Sequence, residues 1–213
     1  MSEENAVREC SREDRRMDFW FHLLYFIIWP IYNILRPVRA IGRENIPDGP
    51  AVICPNHSSN RDPFHVVYAF GWKYPMRAMA KIQIMRLPFI GWILGRAGVF
   101  GVDRDKTDIK AVKTALGMLK RGNKLLIFPE GTRVRGGEDV EAKTGAAMFA
   151  TRTGVPLLPV YILQKKKLFA RTMVVIGKPF FPKFEGRKPT PEELDTITRE
   201  LMEQVHALGE GPL

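Results

Sequence analysis

AVICPNHSSNRDPFHVVYAF, residues 51–70, changes character twice. Ala51 to Cys54 is a short unbroken apolar run, the pattern of a strand buried on both faces. Asn56 to Arg61 is wholly polar. Asp62-Pro63 then has the form of an N-cap followed by proline at the first helical position, where a missing N–H costs nothing. Phe64 to Phe70 continues as the helix. Strand, polar loop and helix in that order open an alternating α/β chain.

Further alternation follows on the carboxyl side. RAMA (77–80) and VFGVD (99–103) read as strands, and Pro88, Gly91 and Gly95 break the apolar stretch 82–98 into short helical pieces. Ile109, Val112, Leu116 and Leu119 recur on one helical face, with Gly122 as the stop. KLLIF (124–128), LLPVYIL (157–163) and TMVVIG (172–177) read as strands, and residues 143–153 as a helix. Thr190 and Glu193 form a capping-box pattern before an apolar stripe at Leu194, Ile197, Leu201, Val205 and Leu208. The expected fold is therefore α/β, with a mixed, largely parallel central sheet flanked by helices.

The chain has 213 residues, enough for one domain with a real core, and a formal charge of +10. Its first 18 residues carry a net −2, so the remainder carries +12. Such a surface favours anionic partners: acidic lipid, phosphorylated substrate or nucleic acid. No basic–aromatic recognition module supports nucleic acid. Cys10 and Cys54, without CxxC spacing, point to a reducing compartment.

FWFHLLYFIIWPIYNIL (19–35) is the one candidate membrane segment. It is shorter than the roughly 20 apolar residues of a spanning helix, and His22, Pro30 and Asn33 interrupt it. Its aromatic content suits the bilayer interface, and Arg36, Arg39 and Arg43 follow as partners for anionic headgroups. The expectation is a polar segment over 1–18, a membrane-interfacial helical anchor over 19–45 and a single domain over 46–213. The expected location is the cytoplasmic face of the cell membrane, with the segment as a monotopic or peripheral anchor. A buried core helix is the competing reading. A signal peptide cut after VRA (38–40) fits poorly with the acidic stretch ahead of the apolar run.

In α/β sheets ligands bind near strand ends, and three polar motifs each follow an apolar strand. NHSSNRDP follows AVIC, DR follows VFGV, and PEGTR follows KLLIF. If those strands are neighbours, His57, Asp62, Arg104, Glu130 and Arg133 gather on one rim. His57 with Asp62 reads either as a turn histidine beside a helix cap, or as a general base whose carboxylate fixes the tautomer and stabilises the imidazolium. Arg104 and Arg133 present planar forks suited to phosphate, or else form local ion pairs with Asp103 and Glu130. Gly131 leaves room for close backbone approach. A metal set of His57, Asp62 and His65 lacks supporting ligands, so no metal is expected. Cys54, before a proline at the end of an apolar run, reads as a small buried residue.

NHSSNRD, GVFGVDR, FPEGTR and VPLLPVYI, in this order and spacing, resemble the four signature blocks of the glycerolipid acyltransferases, most closely the bacterial 1-acyl-sn-glycerol-3-phosphate acyltransferases. The blocks run from Asn56 to Ile162. The resemblance implies His57 as general base and Asp62 as its partner, with Arg104 binding the acceptor phosphate. It implies that Glu130, Gly131 and Arg133 shape the acceptor site, that Lys143 adds a charge contact, and that Pro156 shapes the acyl-donor region. Ala142 stands where the family often has an aromatic residue, and Val134 where it has serine. The implied partners are a membrane leaflet, lysophosphatidic acid as acceptor, and a thioester of acyl-carrier protein or coenzyme A as donor. No cofactor is implied, and the N-terminal segment is expected to form a helical pair in one leaflet.

Overall fold

A computed structural model describes residues 12–103, 108–133, 142–163 and 169–210. The chain runs α1 (Arg12–Leu35), β1 (Val38–Ile41), β2 (Val52–Pro55), α2 (Asp62–Phe70), β3 (Met76–Lys81), α3 (Ile82–Met85), α4 (Ile90–Arg96) and β4 (Val99–Val102). It continues with α5 (Ile109–Lys120), β5 (Lys124–Leu126), α6 (Gly145–Thr153), β6 (Leu157–Ile162), β7 (Thr172–Ile176) and α7 (Pro191–Glu210). The strands form one sheet in the order β1-β7-β6-β2-β5-β3-β4. Every pairing is parallel except β6 with β7. This is the mixed, largely parallel α/β architecture expected from the alternation.

Period-two alternation sorts the central side chains into two cores. Ile53, Leu126, Leu158 and Val160 face a layer built with α1 and α2. Val52, Cys54, Leu125 and Leu157 face the opposite layer, made by α5, α6 and α7. The capping box on α7 forms as read: Glu193 accepts from Thr190 N at 2.7 Å, and Thr190 Oγ1 accepts from Glu193 N at 3.2 Å. Ile197, Leu201 and Val205 are fully buried. At about 2 kcal/mol each, that stripe outweighs a cap worth about 1 kcal/mol in tethering the helix.

At the N-terminus the structure departs from expectation. Among the described residues one continuous helix, Arg12–Leu35, stands in place of a helical pair, and it takes in the end of the stretch read as polar. Its acidic first turns are docked. Asp14 is buried and accepts from Arg121 Nε and Asn123 Nδ2, while Asp18 accepts from the buried Arg77 Nη2 at 2.6 Å. Pro30 removes one helical N–H, yet packing spans it on both sides. Tyr25 and Tyr32 both lie against Tyr68, with ring centroids 5.2 and 4.8 Å apart. By length and composition α1 suffices to cross a membrane, and most of its apolar residues face outward.

Residues 38–41 form a strand that the sequence does not announce; β1 pairs with β7, so the sheet draws on residues upstream of 46. Arg43, just beyond β1, donates to the carbonyls of Ala69 (2.6 Å) and Tyr68 (3.3 Å) at the end of α2. A cation there meets the unpaired carbonyls and the negative end of the helix dipole.

Candidate active site

The sheet order explains why distant motifs meet. β2 lies between β6 and β5 in parallel register, with Ile53 opposite Leu126 and Pro55 opposite Val160. Whatever follows β2 and β5 therefore emerges on the same rim. His57 leaves the end of β2, and the Phe128–Arg133 loop leaves the end of β5. Asn56, almost fully buried, ties the third strand in: its Nδ2 donates to Ile162 O (3.1 Å) and its Oδ1 accepts from Ile162 N (2.7 Å).

His57 Nδ1 lies 3.1 Å from Asp62 Oδ2, within hydrogen-bond reach. Asp62 is fully buried while the His57 side chain keeps 11% exposure. Asp62 is not the N-cap that its position before Pro63 suggested; it is the first residue of α2 and Arg61 takes the cap position. Its carboxylate turns back into the loop instead, where Oδ2 also accepts from Ser58 N and Ser59 N, both at 2.7 Å. Two backbone donors and an imidazole outbid a cap interaction, and they offset the cost of burying a carboxylate. The 57–62 loop is thereby folded around one oxygen atom.

Phe128 supports the ring of His57 from the side, its centroid 4.2 Å away. Glu130 Oε2 accepts from His57 N at 2.9 Å, locking the two loops together. The local Glu130–Arg133 ion pair weighed from sequence is not formed. Burial pushes the Glu130 carboxyl up to about 7; the His57 N–H bond pulls it down, and the charge of Asp62 adds to the rise.

Gly131 has φ 65, a conformation suited to glycine, and a Cβ there would press on the Lys143 stem at 3.2–3.3 Å. Lys143 N also donates to Pro129 O at 2.8 Å. Lys143 thus crosses the PEGTR loop directly, ahead of α6 rather than within it. Arg133 is exposed and has no ion-pair partner among the described residues. Arg104 lies outside the described residues, as does the basic run 164–167.

Pro156 sits at the amino end of β6, accepting from Val52 N, at the opposite end of these strands from His57. Of that sequence block it is Ile162 that joins the rim. Asn56 and Phe128, both missed as site residues, stood inside or beside quoted motifs, but only the strand order reveals their contacts.

Cys54 is fully buried, and its thiol is pushed far up by that burial. Among the described residues no group of three or more His, Cys, Asp or Glu is arranged to hold a metal ion. His65 is buried behind the pair, its Nδ1 3.8 Å from Asp62 Oδ1. The rim thus carries one partly accessible imidazole with a buried carboxylate behind it and basic side chains beside it. Such a pair can accept a proton at the free ring nitrogen and stabilise the resulting imidazolium.

Comparison with known proteins bears on the same residues. The acyltransferase family model matches residues 37–163, which contain the whole rim. The 1-acyl-sn-glycerol-3-phosphate acyltransferase of Bacillus subtilis is 30% identical over 184 residues, 84% of this chain and 91% of that protein. The enzyme of the same name from Borreliella burgdorferi is 33% identical over 144 residues, 64% of this chain; the chain spans about half of that relative's length, 55%. In fold, the chain resembles the crystal structure of the 1-acyl-sn-glycerophosphate acyltransferase of Thermotoga maritima. That match has a TM-score of 0.64 at 24% identity, over 92% of this chain and 78% of that one. The chain belongs to the 1-acyl-sn-glycerol-3-phosphate acyltransferase family.

Proposed function

We propose that this protein transfers a fatty acyl group from a thioester to the sn-2 hydroxyl of 1-acyl-sn-glycerol 3-phosphate, giving phosphatidic acid. The observation that carries this reading is the His57–Asp62 pair, held on the strand rim with the imidazole partly accessible and the carboxylate buried behind it. His57 Nε2 takes the proton of the sn-2 hydroxyl as its oxygen attacks the thioester carbonyl carbon. Asp62 holds the Nδ1 hydrogen and stabilises the imidazolium. The tetrahedral intermediate collapses, the carbon–sulfur bond breaks, and the thiolate leaves with the proton that His57 returns. No acyl-enzyme forms.

Base assistance of this kind contributes about 10²–10⁴-fold, some 3–5 kcal/mol of barrier. Orientation of the acceptor contributes separately. Lys143 and Arg133, both on the loop after β5, together with Arg104 after β4, supply cations for the acceptor phosphate. The relatives' names specify the same acceptor. α1 anchors the protein to the leaflet that holds this single-chain lipid, at the cytoplasmic face where acyl-carrier protein and coenzyme A thioesters are found.

The test is a matrix of purified protein with labelled acyl-carrier-protein and coenzyme A donors against lysophosphatidic acid, glycerol 3-phosphate and an uncharged monoacylglycerol. Lysophosphatidic acid should be the preferred acceptor with at least one donor. Equal efficiency with the uncharged acceptor would remove the phosphate clamp from the mechanism.

A further inference from the structure

Residues 82–96 fold as a hairpin of two short helices at the sheet edge, and its tip is apolar without burying anything inside the chain. Phe89 is 72% exposed and Trp92 51%, with Leu87 and Ile90 exposed beside them. Gly91 stands against the Met85 backbone so closely that no side chain would fit, which keeps α4 folded tightly on α3. Phe89 adopts φ 59, uncommon for a bulky residue, and its ring stacks on Trp92 with centroids 6.3 Å apart. The outer faces of this aromatic pair are left in water, an exposed apolar surface of the kind that marks an interaction site.

The hairpin is continuous with the outer face of α1. α4 packs alongside α1, and Trp92 meets Trp20 edge-on at 5.6 Å. The Arg96 guanidinium covers both rings, 4.3 Å from Trp92 and 5.3 Å from Trp20. On α1 the exposed residues include Phe26, Ile27, Ile31 and Ile34.

Charge selects the partner. No Asp or Glu occurs from Phe19 to Arg43 or from Pro63 to Val102. Exposed Lys81 and Arg86 flank the hairpin tip. Long basic side chains beside an apolar aromatic tip suit an anionic leaflet, with the rings below the headgroups and the ammonium and guanidinium groups among them.

We propose that the α3–α4 hairpin is a second membrane-penetrating element, entering the same anionic leaflet as α1 with Phe89, Ile90 and Trp92 leading. The proposal rests on the anchoring role given to α1 above. It also gives the hairpin a task in acceptor supply. α3 starts where β3 ends, at the carboxyl rim shared with β2 and β5, so insertion of the hairpin draws the His57 rim to the headgroup layer. An acceptor lipid then reaches the base without leaving the leaflet.

The test uses the full chain carrying Cys10→Ser, with a polarity-sensitive fluorophore on Phe89→Cys, Ile31→Cys or Glu200→Cys. Cys54 is buried and escapes labelling. Each protein is mixed with vesicles of phosphatidylcholine containing phosphatidylglycerol and a quencher on the lipid chain. Labels at 89 and 31 should shift to the blue and be quenched, and the label at 200, on exposed α7 surface, should not change. Quenching at 31 with position 89 left in water would overturn the hairpin proposal while leaving the α1 anchor. Both positions in water would overturn the anchor and the proposal together. With phosphatidylcholine alone, binding should weaken at least about tenfold; equal binding would overturn the choice of an anionic leaflet.

Discussion

Replacing Asp62 with asparagine removes a charge and little else, and the site makes its consequence calculable. Oδ2 of Asp62 accepts three hydrogen bonds, from Ser58 N and Ser59 N at 2.7 Å and from His57 Nδ1 at 3.1 Å. The asparagine oxygen must take that place, because its NH₂ group would face two N–H donors. The loop therefore keeps its shape. A hydrogen bond to a charged group contributes about 1.5–3 kcal/mol and a neutral one about 0.5–1.5. Each such change costs about 1–1.5 kcal/mol, so three lower stability by about 3–4.5 kcal/mol, less what is regained by not burying a carboxylate. Catalysis is hit harder, since the imidazolium loses its counter-charge in a buried setting. The expected result for Asp62→Asn is a kcat lower by about 10²–10⁴-fold, the general-base range. The KM for lysophosphatidic acid should stay within about threefold, because uniform binding is not touched. Initial rates with labelled donor, at a temperature where circular dichroism shows the variant folded, measure both. A folded Asp62→Asn protein with kcat within about threefold of wild type would refute the assigned role of the pair.

Glu130 makes a pH prediction. Its carboxyl, raised by burial to about 7, binds its proton more tightly in the folded chain than unfolded. The stabilisation is complete below the unfolded value near 4.5 and is lost as pH rises through the folded one. Wild type should lose about 3 kcal/mol between those limits from this group. Denaturant titrations across that range should show a slope that Glu130→Gln lacks; identical slopes would contradict it. At the other end of the sheet, Asp14→Ala leaves Arg121 and Asn123 without their carboxylate and should cost about 3 kcal/mol. Thermal melts should fall by roughly 6–12 °C, and an unchanged melt would mean that α1 is not clasped there.

Local pattern carried the sheet well where each strand was apolar and closed by a turn residue, as at Val52–Pro55 and Lys124–Leu126. It missed Val38–Ile41, a four-residue edge strand with alternating burial whose existence depends on β7, more than 130 residues later. The docking of Asp14 and Asp18 was hidden within a polar segment for the same reason, because their partners are the distant Arg77, Arg121 and Asn123. The meeting of His57 with Glu130 was legible only as a condition on strand order, which no local signal states. Asp62 shows a competition between two local rules. Both a helix cap and a loop carboxylate fit Asp-Pro, and the two serine N–H groups with the histidine prevailed.

His57→Ala, assayed with the preferred thioester and lysophosphatidic acid beside a vesicle-binding measurement, bears on the proton-transfer claim most directly. Turnover should drop by about 10²–10⁴-fold while vesicle binding stays at the wild-type level. Near-normal turnover from a folded His57→Ala protein would mean that the imidazole does not take the proton.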